Sequence, residues 1–454
     1  MLIKFERNHR KRGWLGILFT ILLLTAGCQS FSHPPLIAQT HPNPSTDISA
    51  FGWIGVAFSQ PMEPESVENV FSISPEVEGE FLWQDTTFWF RPIQPFAQDT
   101  TYQARLSGDL LTTSGEAIPV DKSWSFSVRQ PALIYYVPMG ESGEIWRLSP
   151  EDGSPFQLSR TGGHVLEFSI ERSGDSIAYT VQNDTGGSDL WVMGRDGGNQ
   201  RKLLDCSQDR CGAPAWSMDT AWIAYTREVF NPETGGYSPA QIWTVDIKSG
   251  ETQALYQSDF AFGHSPAFSP DGKRLATYDT TQKAIRILEL STSQESAIPR
   301  TLSGSGDWSP DGKQILFTDV LPAENEPFVE IYRLDLESQT FQFALGEEST
   351  DTDFSQPRMS PDGNWIAVSL RPVNTGISRA LWVLSLHGLN PILVDGDPSA
   401  TFSTYQWDPW GENLVYQRTE FSSSGVDVSI WRWNWKTRQR ELLIENGARP
   451  LWLP

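Results

Sequence analysis

Phe268-Ser269-Pro270-Asp271-Gly272-Lys273-Arg274-Leu275-Ala276-Thr277 is the stretch on which the reading of the fold turns. It reads as strand, tight turn, strand. Proline at the second turn position presets φ, and Asp-Gly supplies the polar, positive-φ corner. Apolar residues on both sides make it a hairpin. One hairpin decides little, but this one recurs as Trp308-Ser309-Pro310-Asp311-Gly312 and Met359-Ser360-Pro361-Asp362-Gly363. Looser copies are Phe168-Ser169 with Gly174, Trp216-Ser217 with Asp219, and Trp407-Asp408-Pro409-Trp410-Gly411. Aligned on the Ser or Asp after the large apolar residue, the steps are 48, 52, 40, 51 and 48 residues. A period of that size means an array of supersecondary units.

A second signature runs in phase with the first. An aliphatic residue precedes a large one at Ile145-Trp146, Leu190-Trp191, Ile242-Trp243, Ile285-Arg286, Ile331-Tyr332, Leu381-Trp382 and Ile430-Trp431. Each follows the hairpin's second strand, and most precede a short polar turn and a fourth strand. Asp189-Leu190-Trp191-Val192-Met193-Gly194-Arg195-Asp196-Gly197-Gly198-Asn199 is the clearest copy. Four short strands in a repeat of roughly 40–50 residues make one propeller blade. The Ser-Pro-Asp-Gly hairpin and the Asp-Leu-Trp-Val…Asp-Gly-Gly-Asn segment together resemble the TolB-type β-propeller repeat, over roughly residues 131–454. The resemblance implies the fold and says little about the task, because such propellers host many.

Ala132-Leu133-Ile134-Tyr135-Tyr136 reads as a second strand with no first strand ahead of it. Arg449-Pro450-Leu451-Trp452-Leu453 reads as a first strand with nothing after it. Paired, they complete one blade and leave no free edge. The expected count is seven blades, with six and eight as alternatives because the fourth repeat is irregular. Trp146, Trp191, Trp243, Trp382 and Trp431 share one position, and Trp216, Trp308, Trp407 and Trp452 another. Periodic aromatics of this kind pack between blades; a carbohydrate-stacking platform is the rival use.

Residues 46–130 have a different character. Strand candidates at Trp53–Phe58, Phe81–Trp83, Thr87–Arg91, Tyr102–Leu106 and Ser123–Val128 include several that alternate apolar and polar, the period of half-buried strands. Phe58-Ser59-Gln60-Pro61-Met62, Phe71-Ser72-Ile73-Ser74-Pro75 and Trp124-Ser125-Phe126 resemble the SbsA-type bacterial Ig-like domain, a module that in its family serves as a spacer or adhesive unit. The chain is therefore read as all-β: an Ig-like β-sandwich at 46–130, then a β-propeller at 131–454 closed by its C-terminal strand.

The first 27 residues read as a leader. Lys4, Arg7, Arg10, Lys11 and Arg12 precede an apolar run from Trp14 to Leu24, too short for a comfortable span. Thr25-Ala26-Gly27-Cys28 then resembles the bacterial lipobox, which implies cleavage before Cys28 and lipidation of its thiol and new amino group. An ordinary secretory signal is the alternative. Residues 28–45, with Pro34, Pro35, Pro42 and Pro44, read as a flexible tether. The expected location is the envelope, on the periplasmic or cell-surface side of a bacterial membrane.

The other two cysteines, Cys206 and Cys211, lie in a polar connection between blades. Outside the cytoplasm such a pair is most simply a disulfide, with a metal site as the rival. The chain has 34 basic and 56 acidic residues and a net charge of −22, more negative once the leader is removed. It repels nucleic acid and anionic head groups, so membrane attachment falls to the lipid.

Strand order locates a functional face. The Ser-Pro-Asp-Gly turns and the turns between third and fourth strands share one end of the ring. The loops between second and third strands share the opposite end with the crossovers between blades. Insertions fall there, at Gln182–Ser188, Glu228–Ala240, Leu321–Phe328, Pro372–Ser378 and Thr419–Val426. Candidate contacts are Phe230, Tyr237, Phe328 and Phe421. His164 and His264, each five residues before the aligned Ser, are expected to be related around the channel mouth. Glu167, Asp307, Arg358 and Gln406 share the position two before it, where salt bridges are the commoner use than a ligand site. No Gly-x-Ser-x-Gly, His-Glu-x-x-His, phosphate-loop or dinucleotide motif occurs. No cofactor or metal is expected. The reading is a non-catalytic module that binds an envelope protein, with a glycan as second partner class. The rival is an envelope glycan- or peptide-processing enzyme with its site at the channel mouth.

Overall fold

The computed structural model describes residues 36–140, 142–256, 261–321, 328–346, 351–373, 375–386, 390–423 and 425–454. Residues 1–35, which include the expected leader and Cys28, lie outside the described residues. Among the described residues the fold is all-β apart from one short helix, Pro64–Glu68.

Two four-stranded sheets form the sandwich. One runs Ile37–His41, Ile54–Phe58, Thr87–Pro92, Gly79–Gln84; the other runs Thr46–Ile48, Ala117–Val128, Thr101–Leu111, Phe71–Ser74. Alternation does its expected work in Thr101–Leu111, where Tyr102, Ala104, Leu106 and Leu110 are buried and their neighbours face outward. These residues join Ile54, Val56, Phe88, Phe96, Trp124 and Phe126 in one core. Of the stretch 28–45 expected as a tether, the described part is folded. Ile37–His41 is a sandwich strand paired antiparallel with Ile54–Phe58, and Thr46–Ile48 pairs with Phe126–Val128. The flanking prolines hid a short strand that an existing edge could recruit.

Among the described residues, strand pairing sorts the rest into four separate four-stranded sheets, a two-stranded hairpin of Phe230–Asn231 with Gly236–Tyr237, and one twelve-stranded sheet that is itself three sets of four. Single bridging pairs, Ser188 with Arg210 and Gly143 with Val165, join those three. In each set the innermost strand is followed outward by the second, third and fourth, as in Gly263–Phe268, Arg274–Asp279, Ala284–Glu289, Glu295–Pro299. The first set takes its innermost strand from the C-terminus: Ala448–Leu453 pairs antiparallel with Ala132–Met139, Trp452 opposite Leu133. Trp452 and Leu453 are buried.

The repeated turn is held by its serine. Ser269 is buried, its hydroxyl donates to Asp271 Oδ1 at 2.5 Å, and it accepts from the Arg274 N–H at 2.9 Å. Asp271 also accepts from the Lys273 N–H, and Gly272 closes the turn at φ +73°. The same bonds recur at Ser309, Asp311 and Gly312, and at Ser360, Asp362 and Gly363. Asp408 replaces the serine in the last repeat and accepts from Glu412 N and Asn413 Nδ2.

One alignment shifts. In the second blade the residue that pairs across the turn is Glu171, whose N–H donates to Ser176 O as that of Ser269 does to Arg274 O. Glu171 therefore takes the serine's place, Gly174 keeps the glycine's, and Ser169 lies inside the strand. That step is two residues shorter than the sequence alignment gives.

Candidate functional site: the two ends of the propeller channel

The Ig-like domain sits on the turn end. Arg91 donates to Asp271 O at 2.8 Å, Trp410 Nε1 donates to Phe96 O at 2.9 Å, and the Arg172 guanidinium stacks over Phe51 at 4.4 Å. Arg129, in the connection between the domains, binds Pro454 O, Ser173 O and the Asp175 carboxylate. A cavity of about 690 Å³ is left beneath, walled by Trp216, Trp308, Trp407 and Trp452 of the innermost strands and roofed by Phe51, Ile93, Gln94 and Pro95. The tryptophans expected between blades thus also line the axis: Trp216, Trp407 and Trp452 are buried and Trp308 half-buried. A second cavity of about 450 Å³ lies between the domains and includes His41, Trp53, Trp89 and Glu171. Burial, with Asp175 beside it, pushes the Glu171 carboxyl up to about 7.

The innermost strands carry a ring of irregularities that the sequence reading missed. Ala213, Ser265, Gln356 and Thr404 have positive φ and lie four residues before the turn Ser or Asp; Arg449 repeats the geometry in the closing strand. Pairing slips at each of these points, the mark of a β-bulge. Proline follows the bulged residue at 214, 266, 357 and 450. Proline has no N–H for a ladder to lose, so it marks bulges in strands. That recurring X-Pro pair was the available signal.

Polar side chains at the bulge position, or between it and the turn, tie one blade to the next. Asp307 accepts from the Met359 N–H at 2.8 Å and from Arg358 at 2.9 Å. Gln406 accepts from the Trp452 N–H at 2.7 Å, and Glu167 accepts from the Ala213 N–H. Asp307 and Arg358 border both the turn-end cavity and a third cavity of about 340 Å³ at the loop end. Ser265, the crossover Ser303-Gly304-Ser305-Gly306, Gln356 and Thr404 line that mouth, with Arg300.

The predicted contacts scatter over the loop end. Phe230 and Tyr237 face each other in a small hairpin, ring centres 5.5 Å apart. Tyr237 donates to Gly186 O on the neighbouring blade, and Arg210 lies 3.8 Å over its ring. Cys206 and Cys211 are disulfide-bonded and buried beside it. Phe421 is 60% exposed and crosses from Val426, also exposed. Ile377 is exposed on the adjacent loop, which Ser378 ties to Pro398 O. Phe328, expected as a surface contact, is instead buried at 8% exposed and pairs with Leu321; residues 322–327 lie outside the described residues.

The two histidines are not equivalents. His264 is half-buried, bonded through Nδ1 to the Ser265 hydroxyl at 2.7 Å, and burial lowers its pKa. His164 is exposed and, with Glu171 as the aligned residue, lies two positions out of register. By the same shift Glu167 aligns with the bulge residue rather than with Asp307. Among the described residues no group of three or more His, Cys, Asp or Glu could hold a metal ion. No described helix is long and apolar enough to cross a membrane.

A model of the TolB β-propeller domain matches residues 174–424, more than half of the chain. The chain belongs to the TolB β-propeller family. A bacterial Ig-like domain model matches residues 32–128, a start that agrees with the strand at Ile37–His41. Among solved structures, this TolB-family chain is similar to TolB from Acinetobacter baumannii, at 20% identity and TM-score 0.42, over 71% of this chain and 82% of that one. It is also similar to a prolyl endopeptidase structure, at 12% identity and TM-score 0.50, over 83% of this chain and 50% of that one. At such identities the likeness is one of fold. A curated relative, the uncharacterized peptidase YuxL of Bacillus subtilis (strain 168), is 28% identical over 174 residues, 38% of this chain. The chain spans about a quarter of that relative's length.

Proposed function

We propose that this TolB-family protein is a lipid-anchored component of the bacterial envelope whose propeller, read as seven blades, is a non-catalytic protein-binding module. Its contact surface is the loop end, and the Ig-like domain is both spacer and cap. The observation that carries the reading is the docking of the sandwich on the Ser-Pro-Asp-Gly turns through Arg91, Arg172 and Trp410. That docking occupies one end of the ring and leaves the end with the long loops free. Phe421, Val426 and Ile377 supply apolar area there, and exposed apolar groups with a polar surround mark contact surfaces. The net charge of −22 directs the partner away from nucleic acid.

The test is capture from envelope extract with the described chain, residues 36–454, rather than a fragment begun at 46 that would lack a sandwich strand. A loop-end variant, Phe421→Ser with Ile377→Ser, is expected to lose the partners that wild type retains. Exposed substitutions on the sandwich, such as Leu111→Ser, should leave them. If the loop-end variant captures the same proteins in the same yield, the loop end is not the binding surface.

A further inference from the structure

The loop-end mouth of the channel carries an unusual charge arrangement. Its charged lining residues are Arg300, Asp307 and Arg358, two cations against one carboxylate in a chain of net charge −22. Arg300 is 6% exposed. Its guanidinium donates to Gly304 O at 2.8 Å, Thr318 O at 2.6 Å and, at 3.4 Å, Ser303 O, all neutral carbonyls. Its Nε is buried with no partner among the described residues. The nearest carboxylate acting on it, Asp319, spends its oxygens on the N–H groups of Thr301, Leu302 and Val320 instead. A buried cation without a contacting counter-charge is costly.

Arg358 lines the same cavity, and its side chain is 46% exposed. One of its nitrogens meets Asp307 Oδ1 at 2.9 Å; the other Asp307 oxygen is held by the Met359 N–H. The pair is therefore single-contact, and Arg358 is among the residues lining the cavity. Arginine forks match carboxylates through two parallel bonds. Hydroxyls at Ser265, Ser303, Ser305, Ser355 and Thr404 and the Gln356 amide complete a polar wall. No added Cβ at Gly304 would meet an atom within 4 Å, so the crossover leaves space at the mouth.

We propose that this mouth is an anion site that takes one carboxylate group of a small polar ligand, with Arg358 as the contacting residue and Arg300 as the buried charge behind it. The site goes beyond protein binding at the loop end, since a free small molecule is enough to fill it. Asp307 is the internal competitor: it holds one nitrogen of Arg358 until the ligand's carboxylate shares the fork.

Acetate is the probe, read by saturation-transfer NMR on its methyl group at fixed ionic strength, with acetamide as the neutral isostere. Wild type is expected to transfer saturation to acetate and not to acetamide. Arg358→Gln should abolish the acetate signal, and Asp307→Asn should bring half-saturation to at least a several-fold lower acetate concentration. The opposite signs separate a ligand site from a structural ion pair, which would make both variants merely less stable. If Arg358→Gln does not fold, Asp307→Asn against wild type still decides. An equal signal in wild type and Arg358→Gln, no acetate signal in wild type, or no gain in Asp307→Asn would overturn the proposal. Loss of captured proteins in the loop-end variant is a separate readout, so either idea can fail alone.

Discussion

Glu171 offers the sharpest physical test. It stands at the turn position that serine holds in four other blades, buried where the Ig-like domain meets the propeller. Burial first, then the Asp175 carboxylate, push its pKa from 4.5 to about 7, against the Ser173 and Asp175 backbone bonds and Arg129. The unfolded chain releases this proton near pH 4.5 and the folded chain only near 7. Between those values the folded state binds more protons, so stability falls as pH rises, and the loss is complete above about pH 7. A difference of roughly 2.5 units at 1.36 kcal/mol each makes the full effect about 3 kcal/mol. Glu171→Gln keeps an oxygen to accept from Ser173 N and carries no charge. The variant is expected to match wild type near pH 4.5 and to exceed it by up to about 3 kcal/mol at pH 8. Urea midpoints across pH 4.5–8 measure this. Two parallel pH profiles would show that Glu171 is solvated in the folded state, and the junction would have to be more open than described.

Two further outcomes are expected. Deleting Ala448 to Pro454 removes the innermost strand of the first blade with buried Trp452 and Leu453, where loss of one such side chain alone costs roughly 3–5 kcal/mol. Melting should drop sharply or expression fail, and a deletion variant melting within a degree or two of wild type would mean the ring closes otherwise. Cys28→Ser should leave an unprocessed precursor or release the protein from the membrane fraction; unchanged maturation and fractionation would remove the lipid anchor from the account.

What was legible in the sequence followed from local chemistry. The Ser-Pro-Asp-Gly turn announced itself because its serine, aspartate and glycine satisfy one another within six residues, as Ser269 does with Asp271 and Arg274. Closure by the C-terminal strand was legible because each terminal fragment lacked what the other had. The second blade misled because Ser169 imitated the turn serine two residues early, while Glu171 did its work. His164 then fell out of register with His264. The strand Ile37–His41 was lost among prolines, since nothing local says that an edge is waiting for it. Phe328 looked like a loop residue because the polar stretch before it gave no sign that the strand Phe328–Asp335 already begins there. Docking of the sandwich on the turns depends on pairs such as Arg91 with Asp271, which no periodicity links.

The strand at Ile37–His41 also sets a working radius. Between Cys28 and Leu36 there are eight peptide steps, at most about 28 Å of extended chain. A leash running to residue 45 would have been about twice as long. If Cys28 carries the proposed lipid, that length would hold the sandwich within about one small-domain diameter of the bilayer. Because the sandwich covers the turn end, such an anchor would leave the loop end looking away from its point of attachment. A partner on an equally short leash in the same leaflet would be hard to meet; one that reaches in from across the envelope would not.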